Sequence, residues 1–166
     1  MPLTDDALAE AGEALAELLE RRQLTIATAE SCTGGWVAKV LTDRAGSSAY
    51  VLAGLVTYSN DAKRGLLGVS ETSLNEHGAV SEPVVREMVA GALSTTGASV
   101  AVAISGVAGP GGGSDDKPVG TVWFAWGRST VDTEAVVETF EGDRDEVRRQ
   151  SVLYVLQGVR RFLENS

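Results

Sequence analysis

The sequence predicts an α/β fold, with helices on both faces of a mixed sheet of about five strands. Three observations carry that prediction. Short apolar, β-branched runs alternate with amphipathic stretches over the first two-thirds of the chain, a pattern that puts helices on both sides of a sheet. Two later apolar runs flank Gly127–Thr130, which reads as an antiparallel hairpin. At 166 residues with 43% hydrophobic content, the chain has the size and composition of one domain that buries roughly two-thirds of its surface without disulfide or metal staples.

The elements follow in order. Asp5–Arg22 sets Leu8, Ala11, Leu15, Leu18 and Leu19 at helical spacing among acidic residues. Leu24–Ala29 is a short buried strand, broken by Glu30-Ser31-Cys32-Thr33-Gly34-Gly35, and Trp36–Leu41 is again helical. Tyr50–Tyr58 is the second strand; Asn60–Leu67 and Glu71–Glu76 are short helices. Ser81 caps a helix that admits Pro83 in its first turn and turns Val84, Val85, Met88, Val89, Ala92 and Leu93 to one face. Val100–Ile104 is a buried strand ended by Ser105-Gly106, and a glycine-rich loop runs from Gly106 to Gly113. Val119–Trp126 and Val131–Phe140 form the hairpin. A last helix starts near Asp143 and carries Val152, Val155, Leu156, Val159, Phe162 and Leu163 inward, and the ends Met1–Thr4 and Glu164–Ser166 are expected to fray.

Composition narrows function. The formal charge is −9, from 14 basic and 23 acidic residues, which argues against broad nucleic-acid binding because that needs a basic face. One cysteine, Cys32, forms no internal disulfide and fits a reducing, cytoplasmic compartment. No basic-then-apolar leader opens the chain and no apolar run reaches the ~20 residues that span a bilayer, so no membrane association is expected. Cys32 and His77 are the only soft or imidazole ligands, which leaves no zinc or iron site and only a carboxylate-held magnesium open. No metal and no cofactor are expected.

Four segments bear chemistry. In Thr28–Gly35, Ser31 stands where a strand hands over to a helix, beside backbone N–H groups that favour negative charge. This suits a nucleophile next to an oxyanion site; the plainer alternative is that Ser31 or Thr33 caps the helix. Cys32 is the rival nucleophile or a packed bystander, and His77 reads as a helix-end residue. In Val56–Lys63, Tyr58 ends a strand and Lys63 lies in the next helix. A desolvated Lys63 serves as base, but holding it neutral near pH 7 costs about 4 kcal/mol, and the alternative is a solvated lysine. The Ser105–Ser114 loop is neither a Walker loop nor a dinucleotide fingerprint; it is a phosphate nest or a flexible loop. Arg144 and Arg148, four apart on a helix, suit a phosphate or pair with the neighbouring carboxylates.

Together the stretches Ala29–Gly35, Gly54–Lys63, His77–Ser81, Ile104–Gly112 and Lys117–Val122 are more specific than any one. In that order they resemble the CinA C-terminal-domain family, and within it the stand-alone nicotinamide-nucleotide amidohydrolases, over nearly the whole chain. The resemblance implies an α/β/α sandwich that deamidates nicotinamide mononucleotide to nicotinate mononucleotide and ammonia in pyridine-nucleotide salvage. Laid on this sequence, it makes Ser31 the nucleophile, Lys63 its base and Tyr58 a relay or orienting group. Thr33, Gly34 and Gly35 bind substrate beside the nucleophile. The glycine-rich loop, with Ser105, Gly106, Gly109 and Gly111, holds ribose and phosphate together with Arg144 or Arg148. A homodimer is expected, from the resemblance and from three tryptophans suited to an interface. Two other classes stand beside this one: a nucleotide-binding module without catalysis, and a competence or DNA-damage accessory module.

Overall fold

The computed structural model describes residues 3–166. Its chain order is α1 (Asp5–Arg22), β1 (Ile26–Glu30), α2 (Trp36–Thr42), β2 (Val51–Val56), α3 (Asn60–Leu67), α4 (Glu71–His77), α5 (Glu82–Thr96), β3 (Val100–Gly106), β4 (Thr121–Gly127), β5 (Thr133–Thr139) and α6 (Arg144–Glu164), with one 3-10 turn at Ser47–Ala49. The five strands form one sheet in the order β2-β1-β3-β4-β5. β1 is parallel to both β2 and β3, whereas β3–β4 and β4–β5 are antiparallel. The expected α/β class, mixed five-strand sheet and late hairpin are all present.

Side-chain size assigns the two faces. Ile26, Val100, Val102, Ile104, Val122, Phe124 and Trp126 point to the side covered by α1, α2 and α6. Their alternates Ala27, Ala29, Ala101, Ala103 and Ala125 point to the other side, where small residues let α5 lie close on the sheet. From β1 the chain crosses by α2 to β2 on one side, then returns by α3–α5 to β3 on the other. The crevice between the carboxyl ends of β1 and β3 is therefore a topological switch point, the usual ligand position in such sheets.

Several boundaries differ from the sequence reading. β1 runs Ile26–Glu30 because the Leu24 amide still closes α1 through Leu19 O, while Glu30 stays in the ladder. β2 stops at Val56, and Thr57 and Tyr58 turn their carbonyls to Lys63. Ser105-Gly106 does not end β3: both residues pair with β4, opposite Trp123 and Val122. Ser81 stands at the N-cap of α5, but its hydroxyl donates back to Gly78 O and caps nothing. Asp143 caps α6 as expected, in a reciprocal capping box with Glu146.

At the ends, Thr4 caps α1 and Glu164 remains in α6; the expectation of fraying at Met1 and Pro2 lies outside the described residues. Of the three tryptophans, Trp126 is buried and Trp36 and Trp123 are partly buried. Trp126 is buried against Gly158, Trp123 packs on the alanine face, and Trp36 lies under Arg148 and Arg149. Among the described residues no helix is long and apolar enough to cross a membrane.

Candidate active site

Ser31 follows the last residue of β1, and its amide donates to Ile104 O of β3 at 3.0 Å. The parallel ladder pairs Ala27 with Ala101 and Ala29 with Ala103. Continuing that register by one step sets Ser31 beside Ser105. On the other side Ala29 pairs with Leu55, and the same continuation sets Ser31 beside Thr57, whose amide donates to Glu30 O at 2.9 Å. The ends of β2, β1 and β3 thus carry a row of three hydroxyl residues, Thr57, Ser31 and Ser105, in the phase that on β1 and β3 buries alanines further back.

Lys63 reaches this row from α3. Ser59 caps that helix by accepting from Ala62 N at 3.0 Å, and Lys63 falls in its first turn. The side chain is 1% exposed. Its Nζ lies 2.9 Å from Ser31 Oγ, 2.8 Å from Thr57 O and 3.3 Å from Tyr58 O. No carboxylate pairs with it among the described residues, and burial pushes the ammonium down to about 8. As an ammonium Lys63 donates to Ser31 Oγ and to both carbonyls; once it loses a proton, two N–H groups still serve the carbonyls and the lone pair is left for the serine proton.

Glu30 builds the turn that carries Ser31. It is fully buried and accepts from Thr33 Oγ1 (2.7 Å), Thr28 Oγ1 (3.3 Å), and the amides of Gly35 (3.2 Å), Val37 (3.0 Å) and Ala38 (3.0 Å). A carboxylate at a helix start, met by several charge-assisted bonds, is a strong anchor. It replaces the side-chain cap that α2 lacks, since Gly35 occupies that position. The amides at the helix start are therefore taken by Glu30. The N–H groups of Cys32 and Thr33 carry no backbone partner among the described residues and remain beside Ser31.

A pocket of about 340 Å³ opens over the pair, lined among others by Ser31, Lys63, Tyr58, Ser105, Gly109 and Arg144; Gly106 and Gly111 line it too. A larger cleft of about 710 Å³ lies between α1, β5 and α6, but it is lined by five carboxylates and holds no nucleophile–base pair.

Five expected residues sit differently. Thr33 is fully buried with its hydroxyl on Glu30. Gly34 and Gly35 have φ of 60° and 98° and serve the backbone of the turn. All three line a separate cleft behind the turn. Arg148 borders that cleft as well and spends its guanidinium on Cys32 O (3.0 Å) and Thr33 O (3.4 Å), so it braces the turn that carries Ser31 and does not line the pocket. The Tyr58 hydroxyl lies 3.2 Å from Arg144 Nη2. The residue meets Lys63 through its carbonyl alone, and the expected phenolic relay is not formed. Arg144, which also donates to Gly109 O at 2.8 Å, is the arginine at the pocket mouth. His77 closes α4 as a helix-end residue.

An α/β/α sandwich thus carries a buried serine–lysine contact at its switch point, a pairing of groups that nucleophilic catalysis can use. The CinA C-terminal domain family matches residues 8–163, and the chain belongs to that family. The nicotinamide-nucleotide amidohydrolase PncC of Escherichia coli (strain K12) is 54% identical over 165 residues, spanning 99% of this chain and 100% of that protein. A CinA-like protein of Mycolicibacterium gilvum is 54% identical over 139 residues, which is 84% of this chain but 33% of that longer protein. The crystal structure of a competence-damaged protein (CinA) superfamily protein from Klebsiella pneumoniae superposes with a TM-score of 0.92 at 41% identity, covering 96% of this chain and 99% of that one.

Proposed function

We propose that the chain is a nicotinamide-nucleotide amidohydrolase that converts nicotinamide mononucleotide to nicotinate mononucleotide and ammonia by serine nucleophilic catalysis. The observation that carries this reading is the 2.9 Å contact between Ser31 Oγ and a lysine amine without a carboxylate partner. The full-length similarity to a protein named for that activity supplies the substrate.

The proposed steps use the chain's own groups, the substrate and one water. Ser31 Oγ attacks the carboxamide carbon as its proton passes to Lys63 Nζ. The oxyanion forms beside the N–H groups of Cys32 and Thr33. The C–N bond then breaks while Lys63 returns the proton to the nitrogen, which leaves as ammonia. Water adds to the acyl-serine, its proton goes by way of Lys63 to Ser31 Oγ, and nicotinate mononucleotide departs. The test is ammonia release from nicotinamide mononucleotide, with nicotinamide as control. Thermal stabilisation by the nucleotide without ammonia would make the chain a binding module and end the enzymatic reading.

The two arginines should separate kinetically. Arg144 at the pocket mouth suits the phosphate, so Arg144→Ala is expected to raise KM by about tenfold with kcat nearly unchanged. The effect should vanish on nicotinamide riboside, which lacks the phosphate. Arg148→Ala frees the carbonyls of Cys32 and Thr33 and is expected to lower kcat on both substrates. Steady-state kinetics of the two variants on both substrates checks the division; equal KM effects would move the phosphate off Arg144.

A further inference from the structure

Ser105 is 1% exposed and lines the pocket, yet its hydroxyl carries no hydrogen bond to another group among the described residues. The fully enclosed side-chain oxygen without a partner among the described residues is Thr57 Oγ1, on the other side of Ser31; Ser105 Oγ instead opens to the pocket, where a bound ligand can take its proton. The position of Ser105 narrows its role. Parallel neighbours lie about 4.8 Å apart, and the register that pairs Ala29 with Ala103 sets Ser105 next to Ser31. The strand order β2-β1-β3 places Ser105 on one side of Ser31. On the opposite side, over Thr57 O and Tyr58 O, stands Lys63.

Resting on the amidohydrolase reading, we propose that Ser105 is a catalytic residue whose hydroxyl donates to the oxyanion of the tetrahedral intermediate. The nitrogen of the scissile amide must receive its proton from Lys63, so it turns to the β2 side. The carbonyl oxygen is then left on the β3 side, toward Ser105. A hydroxyl with no acceptor in the fold has its proton free for that oxygen. Backbone pairing with Trp123 on β4 fixes the strand beneath it, so little reorganisation accompanies the reaction. Ser105 thereby acts at the reacting carbon, not at the ribose and phosphate as the sequence suggested.

The experiment compares the parent protein, Ser105→Ala and Ser105→Thr on nicotinamide mononucleotide and on its thioamide analogue, with melting curves. Ser105→Ala is expected to lower kcat by about 100-fold with KM within about threefold. Ser105→Thr, which keeps a hydroxyl on the same strand, should recover most of that loss. On the thioamide, whose sulfur accepts hydrogen bonds weakly, the alanine penalty should shrink to less than tenfold. Melting of Ser105→Ala should stay within about 3 °C of the parent, because no hydrogen bond of the fold is lost. A rise in KM with kcat kept would make Ser105 a ground-state contact. A large melting drop would make it structural, and an equal penalty on both substrates would take it off the oxygen; each result overturns the proposal. Absence of ammonia release by the parent protein would instead strike the amidohydrolase reading itself.

Discussion

Ser31→Ala is expected to lower turnover of nicotinamide mononucleotide on the order of 10⁴-fold or more, with melting and nucleotide binding retained. The loss is large because the nucleophilic atom itself is removed, and only binding and the oxyanion donors remain. The fold tolerates the change: among the described residues the Ser31 hydroxyl hydrogen-bonds with Lys63 alone, while the amide that joins Ser31 to β3 is untouched. Cys32→Ala should behave in the opposite way. Cys32 packs into the core on the α1 and α6 side, and burial pushes its thiol up to about 12, where Glu30 adds a smaller push in the same direction. At neutral pH it is a thiol, not a thiolate, and a poor nucleophile. Its removal should cost on the order of 1 kcal/mol of packing and leave most of the turnover. Turnover of both purified variants, with melting curves, decides the matter. A folded, active Ser31→Ala would overturn the serine assignment, and an inactive Cys32→Ala with unchanged melting would move the nucleophile one residue along.

The fold was legible because its cues are periodic. Strands on β1 and β3 are short apolar runs, α1 and α6 show a helical stripe, and Gly127–Thr130 marks the hairpin. The meeting of Ser31 with Lys63 was legible because residues that follow strands in such sheets face the crevice. The finer site was not. Nothing local says whether an arginine at position 144 or one at 148 faces the pocket. One helical turn separates them, and the choice depends on where the Cys32 and Thr33 carbonyls lie. Tyr58 was read by side chain, whereas the fold uses its carbonyl. Glu30 was passed over as a strand breaker. The available cue was a carboxylate in an otherwise apolar strand, followed by a short helix that begins at glycine and has no cap of its own.

That buried glutamate also bears on how the serine is held. Five donors converge on Glu30 from one side of the turn, and Arg148 grips two carbonyls from the other. Ser31 therefore sits on a turn fixed by charge-assisted bonds at both faces, which limits its motion relative to Lys63. The proposed catalysis through the 2.9 Å contact would gain from such preorganisation, since a displacement of about 1 Å can cost on the order of 10²-fold in rate.

Lys63 carries the second large effect. Lys63→Ala is expected to lower kcat by on the order of 10³-fold, because a serine hydroxyl without a base is a weak nucleophile. It should also lower the melting temperature by a few degrees, since the carbonyls of Thr57 and Tyr58 lose their donor. Methylamine supplied in solution should restore part of the rate by entering the space the side chain leaves. Lys63→Arg should keep the charge and stay inactive, because a guanidinium does not give up its proton at working pH. The parent protein's pH profile follows from the same group. The neutral amine is the active form and burial holds the ammonium near 8. At pH 7 only about one-tenth of the molecules carry the base, so kcat/KM should rise about tenfold per pH unit at low pH and level off above about 8. The sign is opposite to that of a general acid, whose rate falls as pH rises through its pKa. The decisive measurements are kcat/KM from pH 5.5 to 10 for the parent, and turnover of the two variants with and without methylamine. A flat profile, or an active Lys63→Arg, would reduce Lys63 from base to electrostatic support and leave the activation of Ser31 to another group.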